Sequence, residues 1–205
     1  MKHYPTIAHF KNQSGEVYAF DKLDGSNIRV EWSQKKEFYK FGSRKVLIDE
    51  SHEFLGESIK LIKAKEEQFT EIFKKQKWQR VISFFEFCGN HSCFGQHVND
   101  EPHSVTLIDV APYKQGLLPP QDFIKLFKEC GIPKVLYQGN LNSDIVDAVK
   151  KSTLEGMTFE GVVCKGAERK TKFSKPLMFK IKSDAWMGQL KEYCRGNIGL
   201  FDKLR

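Results

Sequence analysis

One lysine near the start of the chain lies in a polar turn between two strand-like segments. Residues 21–27 read Asp-Lys-Leu-Asp-Gly-Ser-Asn and contain Lys22. An unprotonated lysine amine can attack phosphorus as a nucleophile, but a free lysine, with a pKa of about 10.4, is almost wholly protonated at neutral pH. The motif Lys-x-Asp-Gly is short enough to recur by chance as a charged turn, so its interpretation depends on the segments that follow it in the chain.

Three later hydrophobic segments each carry one or two charges. A carboxylate inside an apolar strand needs a partner, which favours a functional role for Glu86 and Glu160. Side chains alternate along a strand, so Lys180 and Lys182 lie on one face. The segments are Phe-Phe-Glu-Phe at 84–87, Glu-Gly-Val-Val-Cys-Lys at 160–165 and Phe-Lys-Ile-Lys at 179–182.

The order and type of these segments resemble the covalent nucleotidyltransferases, which include polynucleotide ligases and mRNA capping enzymes. Lys-Leu-Asp-Gly-Ser-Asn, with Asn27 five residues after the lysine, is most similar to the phage-type, ATP-dependent RNA ligase family. The resemblance spans Lys22 to Lys182. It implies an enzyme that uses ATP with Mg²⁺ or Mn²⁺.

The resemblance also implies the catalytic roles. Lys22 would attack the α-phosphate of ATP, forming lysyl-AMP, while Lys180 and Lys182 hold the phosphate oxygens. AMP would then pass to a 5′-phosphate, and a 3′-hydroxyl would displace it, joining RNA ends or sealing a nicked duplex. We expect Lys180, Lys182, Arg44 and the metal to lower the pKa of Lys22, because neighbouring positive charges disfavour an ammonium group.

The remaining assignments from the resemblance concern the nucleotide and the metal. The adenine would be packed between Ile108 and Val163, although related enzymes often place a stacking aromatic ring where Ile108 stands. Both residues could equally be ordinary core, and the neighbouring Asp109 could support the nucleotide or metal or accept hydrogen bonds from a turn. The other roles are the adenine edge for Asp21, the metal's water shell or the phosphates for Asn27, the nucleotide for Arg44, the ribose hydroxyls for Glu86 and the catalytic metal for Glu160.

The composition is consistent with a nucleic-acid partner. The 205 residues include 33 Lys and Arg against 26 Asp and Glu, a formal charge of +7. A basic protein of this kind can attract a polyanion. The run 165–175, with Arg169, Lys170 and Lys172, lies between two of the charged strands and predicts either an RNA contact or a solvated loop.

Several other features of the sequence indicate where the protein is located and whether it binds zinc. The sequence has no apolar run of about 20 residues and no secretory signal, so we expect a soluble, cytoplasmic protein with no membrane partner. We also expect a monomer. The resemblance would suit an intracellular protein of phage or virus origin. Five cysteines, an odd number, indicate reduced thiols. The residues Cys88, His91, Cys93 and His97 could ligate zinc, but they contain no Cys-x-x-Cys pair, which favours a polar loop.

The periodicities predict an α+β fold with antiparallel β-sheets flanked by helices. We expect a meander over 17–23, 27–32 and 37–41, then a long helix capped by Ser51 and running through Phe73. A helix should begin at Pro120 and stop at Gly131. The remaining predicted elements are strands at 80–88, 104–111, 158–165 and 177–182, a short helix near Asn142 and a helix at 184–194.

We expect residues 1–205 to form a single adenylyltransferase domain. Only 23 residues follow Lys182, too few for the oligonucleotide-binding barrel of DNA ligases and capping enzymes. The chain would then be a minimal ligase or the catalytic domain of a longer protein. The alternatives are an ATP-dependent DNA ligase, a GTP-using capping enzyme and an inactive nucleotide- or RNA-binding module. Asn27 and the missing barrel argue against the first two, and the intact set of charged residues argues against the third.

Overall fold

The computed structural model describes residues 1–89, 100–167 and 177–205. Ten strands and six α-helices lie in this described part. The strands are β1 (Ala8–His9), β2 (Glu16–Asp21), β3 (Ser26–Ser33), β4 (Glu37–Gly42), β5 (Leu47–Ile48), β6 (Arg80–Cys88), β7 (Ser104–Pro112), β8 (Val135–Asn140), β9 (Gly161–Gly166) and β10 (Met178–Lys182). The helices are α1 (Gly56–Lys63), α2 (Glu66–Lys75), α3 (Pro120–Phe127), α4 (Ser143–Lys150), α5 (Asp184–Cys194) and α6 (Ile198–Leu204).

The strands form two five-stranded sheets. The order in the first sheet is β1-β10-β9-β2-β8, and in the second it is β5-β4-β3-β6-β7. Neighbouring strands are antiparallel, except that the two-residue strand β1 runs parallel to β10. The α+β prediction with antiparallel sheets is therefore confirmed.

The predicted meander is wrong, because its first strand belongs to a different sheet from the other two. Strand β2 pairs with β8 and β9, whereas β3 pairs with β4 and β6. Residues 22–25 cross between the sheets. The crossing is tight: a Cβ on Gly25 would lie 2.5 Å from the Phe87 carbonyl oxygen and 2.8 Å from Cys88 Sγ. Both β2 and β3 are largely buried, so their apolar patterns do not specify which strand lies beside them.

The predicted long helix is also wrong, since the segment forms the two helices α1 and α2. The break lies at Ala64 and Lys65, which end α1 and precede α2. Ser51 caps neither helix, because its hydroxyl and amide donate to the carboxylate of Asp49. The segment nevertheless contributes to the core, and its fully buried apolar side chains are Ile59, Ile62, Phe69 and Phe73.

Other predicted helices are confirmed. Helix α3 begins at Pro120 and passes through a 3₁₀ turn to Gly131, which has a left-handed backbone with φ of 78°. Asn142 caps α4 by accepting a hydrogen bond from the Ile145 amide, and α5 has the predicted bounds. The sequence analysis missed four elements: β1, β5, β8 and α6.

The largest core cluster joins the two sheets to helices α1, α2 and α3. Phe20 of the first sheet and Ile28 of the second belong to this cluster, together with the aromatic side chains of α2 and α3. A smaller cluster packs α4 against the first sheet through Val146 and Val149. Within the described ranges, no helix is long and apolar enough to cross a membrane.

Candidate active site

A cavity of about 830 Å³ is lined by every residue to which the family resemblance gives a catalytic, nucleotide-binding or metal-binding role. Eight basic and four acidic side chains of the described residues line it, so its charge suits an anionic ligand. The assigned residues that line it are Asp21, Lys22, Asn27, Arg44, Glu86, Ile108, Glu160, Val163, Lys180 and Lys182.

Glu160 connects two of the lysines. Its Oε2 lies 2.6 Å from Lys22 Nζ, and its Oε1 lies 2.8 Å from Lys182 Nζ. The backbone holds this arrangement, because the Lys22 amide donates to the carbonyl of Gly161, directly after Glu160. The side chain of Lys22 is 19% exposed, against 4% for Glu160 and 6% for Lys182, so Lys22 is the most accessible of the three groups.

The expectation that positive groups lower the pKa of Lys22 is wrong for the protein without ligand. Burial alone would lower this pKa, but the negative charges of Glu160, Glu86 and Asp24 outweigh it and leave the pKa raised. Glu160 and Glu86 come from segments far from Lys22 in sequence, whereas Asp24 lies two residues away. Together these three carboxylates stabilise the ammonium form of Lys22.

The lysines of β10 have the lowered pKa values instead. Burial, followed by the charges of Lys182 and Lys22, lowers the pKa of Lys180 to about 8. Burial also lowers the pKa of Lys182, against the opposing effect of Glu160. The Lys182 ammonium lies 3.2 Å from the centre of the buried Trp186 ring, a cation–π contact that fixes its position.

Glu86 and Asn27 are cross-strand partners on β6 and β3. Burial raises the pKa of Glu86 to about 7, so its carboxyl group is partly protonated at neutral pH. The side-chain oxygen and nitrogen of Asn27 are both buried without a hydrogen-bond partner. An unsatisfied buried amide is costly, and a ligand in the cavity would satisfy it.

Asp21 and Arg44 differ in how closely the protein holds them. The Asp21 carboxylate is buried and accepts hydrogen bonds from the amide and hydroxyl of Thr158, two residues before Glu160. This contact positions Glu160, and the adenine-edge role of Asp21 stays a prediction. Arg44 is exposed in the loop before β5, and its charge contributes to the lowered pKa of Lys180.

Asp109 and Lys165 form a buried ion pair beside the cavity. Lys165 Nζ lies 2.7 Å from Asp109 Oδ2 and donates to the Ile108 carbonyl at 2.8 Å. Asp109 also accepts from the Tyr4 hydroxyl, which burial and Asp109 leave with a strongly raised pKa. Of the two alternatives for the run 165–175, an RNA contact or a solvated loop, the solvated loop is wrong for Lys165, since its ammonium is buried in this ion pair. The rest of that run, from 168, lies outside the described residues.

Most of the residues that could ligate zinc lie outside the described part of the chain. Cys88 is a free thiol whose pKa burial raises to about 12, while His91, Cys93 and His97 are not described. In the ranges that are described, no cluster of three or more His, Cys, Asp or Glu side chains is arranged to hold a metal.

Sequence reasoning missed one end of the cavity. His9 of β1 lines it, as do Lys203 and Arg205 at the end of α6. Lys180 Nζ donates to the Arg205 main-chain oxygen at 3.1 Å. These residues carry no motif, and a two-residue strand leaves no periodic signal by which it could be found.

Comparison with known proteins gives the class of this domain. An archaeal ATP-dependent RNA ligase superposes with a TM-score of 0.62 at 17% identity, covering 95% of this chain and 52% of that one. A Naegleria gruberi RNA ligase variant, solved with ATP and Mn, gives a TM-score of 0.60 at 17% identity, covering 86% and 52%. The fold is that of the catalytic domain of RNA ligases, and the chain spans about half the length of these ligases.

A family model describes the chain more specifically than the fold does. The RNA ligase family model matches residues 15–182, which contain all the assigned site residues. The chain belongs to the RNA ligase family, which confirms the resemblance at the level of the family. No curated protein sequence matches it significantly.

Proposed function

We propose that the protein is an ATP-dependent RNA ligase, and that residues 1–205 act as one adenylyltransferase domain. The observation that carries the proposal is the Glu160 carboxylate between Lys22 and Lys182 inside a cavity rich in positive charge. A nucleophile, an acid that controls its proton and phosphate-binding cations are thereby within one site. Membership of the RNA ligase family supports the same reaction.

The first reaction joins Lys22 to the nucleotide. The Lys22 nitrogen forms a bond to the α-phosphorus of ATP, the bond from that phosphorus to the bridging oxygen breaks, and pyrophosphate leaves with the electron pair. The amine must first lose a proton. Loss of the Lys22–Glu160 contact favours this, because Glu160 makes the largest charge contribution to the raised pKa of Lys22. Lys180 and Lys182 stabilise the charge that develops on the phosphate oxygens.

The side chains also fit a divalent metal. Mg²⁺ is usually held by one or two carboxylates together with substrate phosphates and water, so the lack of a larger acidic cluster among the described residues is compatible with it. Glu160 would hold Mg²⁺ or Mn²⁺, and the unsatisfied amide of Asn27 would bind its water shell or the phosphates. A bound metal supplies positive charge that neutralises the phosphates.

The nucleoside would occupy the remainder of the cavity. Ile108 and Val163 would pack on the two faces of the adenine, and Glu86 would accept hydrogen bonds from the ribose hydroxyls. In the later steps AMP passes to a 5′-phosphate, and a 3′-hydroxyl displaces it. Arg44, exposed on a loop at the cavity, would contact the nucleotide and later the incoming RNA end.

Formation of the covalent adduct tests this proposal. Protein incubated with Mg²⁺ and radiolabelled ATP should acquire an acid-labile label whose mass increment is that of AMP, whereas Lys22→Ala should acquire none. Lys11→Ala, an exposed lysine in the same part of the chain, is the matched control and should label normally. Label from GTP would indicate a capping enzyme, and no label from either nucleotide would refute the nucleotidyltransferase reaction.

Sealing assays then test the RNA assignment. Nicked duplexes with a ribose or a deoxyribose at the 3′ terminus of the nick separate an RNA ligase from a DNA ligase, because only the ribose carries the 2′-hydroxyl. We expect the ribose terminus to be sealed faster by at least about tenfold, the effect of one lost hydrogen bond to a polar site. Equal sealing of both termini would favour the DNA ligase.

A further inference from the structure

A row of side chains crosses the first sheet from β2 to β1. Phe20 pairs with Val163, Val163 pairs with Lys180, and Lys180 pairs with His9. Directly paired residues project from the same face of a sheet, and neighbouring strands are about 4.8 Å apart. All four residues line the cavity. Beyond Lys180, the row therefore continues by one strand spacing to His9.

This row gives the direction in which a nucleotide would extend. In the proposed function, Val163 contacts the base and Lys180 contacts the α-phosphate. The β- and γ-phosphates must lie on the side of the α-phosphate away from Lys22, because the leaving group departs in line with the attack. The next position of the row, on the edge strand, is His9.

An oxygen already occupies this position. Lys180 Nζ donates to the main-chain oxygen of Arg205, and the backbone of Arg205 also lies near enough to the His9 ring to raise its pKa. Lys203 lines the cavity at the same end. This end of the cavity can thus hold an oxygen acceptor between an ammonium and an imidazole, which is the contact a phosphate oxygen would make.

The charges around His9 also suit an anion. Burial and the positive charge of Lys180 lower the pKa of His9, with further contributions from Lys182 and Arg205. The charges that lower this pKa are all positive, and the hydrogen bond to the Arg205 backbone opposes them. A bound polyphosphate would reverse this field and favour the imidazolium form, which can donate from both ring nitrogens.

We propose that His9 binds the β- and γ-phosphates of ATP and stabilises the pyrophosphate that leaves when Lys22 is adenylylated. The inference depends on the proposed function. During this step the Lys22 nitrogen, after losing its proton to solvent, bonds to the α-phosphorus. The electron pair of the broken bond departs on the pyrophosphate oxygen, where a hydrogen bond from His9 offsets the new negative charge.

A comparison of two half-reactions tests this role. Adenylylation by ATP releases pyrophosphate, whereas sealing of RNA that already carries a 5′-adenylate does not. We expect His9→Ala to slow adduct formation by about 10- to 100-fold, the effect of losing one hydrogen bond to a charged group. Sealing of pre-adenylylated RNA should stay within about twofold of the unmodified protein, and Lys11→Ala should behave normally in both assays.

Pyrophosphate itself provides a second readout. Adding it to the isolated adduct should regenerate ATP, and His9→Ala should slow this reversal by the same factor as the forward step, since both pass through one transition state. His9→Asn, which keeps a donor, should restore part of both rates. Thermal unfolding of each variant identifies any that fail to fold, in which case His9→Asn alone is compared.

Three results would overturn the role of His9. These are folded His9 variants that form the adduct at the normal rate, that lose adenylylation and sealing equally, or that reverse normally with pyrophosphate. In contrast, failure of the unmodified protein to form an adduct with ATP would refute the proposed function itself. The two failures are therefore distinguishable.

Discussion

Two lysines of this protein, Lys22 and Lys165, have similar ion-pair partners but differ in their exposure. Each forms an ion pair with a nearly inaccessible carboxylate, at 2.6 Å to Glu160 and 2.7 Å to Asp109. Lys165 is enclosed: it also donates to the Ile108 carbonyl and lies 4.7 Å and 5.1 Å from the ring centres of Phe20 and Phe123. Lys22 is more exposed, and its carboxylate is shared with a second ammonium group.

Under the proposed function, an ion pair with a buried carboxylate does not by itself indicate a reactive lysine. The Lys165 ammonium has several partners that no substrate needs to replace, and Asp109 Oδ2 also accepts a hydrogen bond from the Tyr4 hydroxyl. Lys22 shares Glu160 with Lys182, which would keep this carboxylate paired if Lys22 moved to a substrate. Lys22 can therefore exchange its partner at lower cost, because no buried charge would be left without a partner.

Replacing each lysine by methionine should separate the two roles most strongly. Lys22→Met should abolish adduct formation while changing the free energy of unfolding by about 1 kcal/mol or less, because Glu160 keeps Lys182. Lys165→Met should lower the free energy of unfolding by about 3–5 kcal/mol, since Asp109 would remain buried without its ion-pair partner. Urea unfolding and the labelling assay measure both effects. Equal destabilisation by the two substitutions would contradict the comparison.

Removing the shared carboxylate should have the next largest effect. Glu160→Gln should slow adduct formation by about 10²- to 10³-fold, the effect of losing one preorganised electrostatic contact. Because the Glu160 charge raises the pKa of Lys22, the substitution should also move the rise of the residual rate with pH to lower pH. Glu155→Gln, on the exposed loop before β9, is the control. A residual rate with an unshifted pH profile would show that Glu160 does not control the proton of Lys22.

The pKa of Glu86 predicts how stability depends on pH. Its folded-state pKa of about 7 is above that of an unfolded glutamate, so the folded protein binds more protons between about pH 4.5 and 7. This carboxyl group therefore contributes a loss of stability as pH rises through that range, at up to about 1.4 kcal/mol per pH unit. Glu86→Gln should remove that contribution in urea unfolding, whereas Glu71→Gln, at an exposed position of α2, should not. An unchanged pH profile in Glu86→Gln would refute the raised pKa.

Changing the proposed base-packing residue should have the smallest effect. Ile108→Phe should lower the KM for ATP in adduct formation by about two- to tenfold, because stacking on an aromatic ring contributes about 0.5–1.5 kcal/mol. Ile108→Leu preserves the volume and should leave the KM nearly unchanged. If the phenylalanine variant folds normally but binds ATP no better, Ile108 does not contact the base.

The sequence predicted which residues meet in the cavity better than it predicted how they interact. Lys22, Glu86, Glu160, Lys180 and Lys182 all line it, because the order of charged strands is specific to the family. The predicted pKa shift of Lys22 was wrong because this shift depends on distances between strands. The sequence gives the type of a charged residue far along the chain, but not whether that residue lies within 3 Å of Lys22.

The assignment of β2 and β3 to different sheets could not be predicted from the sequence for a related reason. Strands β2 and β3 are joined by a short polar turn, which normally indicates a hairpin. Both strands are buried on both faces, so tertiary packing rather than alternation selects their partners. His9 was missed because β1 has only two residues and gains its position from pairing with β10.

The tight crossing at residues 22–25 separates Lys22, directly after a strand of the first sheet, from Asn27 on the second sheet. The first sheet carries Lys22, Lys180 and Lys182, and the second carries Asn27 and Glu86, so the proposed site is complete only when the two sheets are packed together. Adenylylation would consequently report on the packing of the two sheets, and a substitution at their junction should slow it while leaving each sheet's own hydrogen bonds intact.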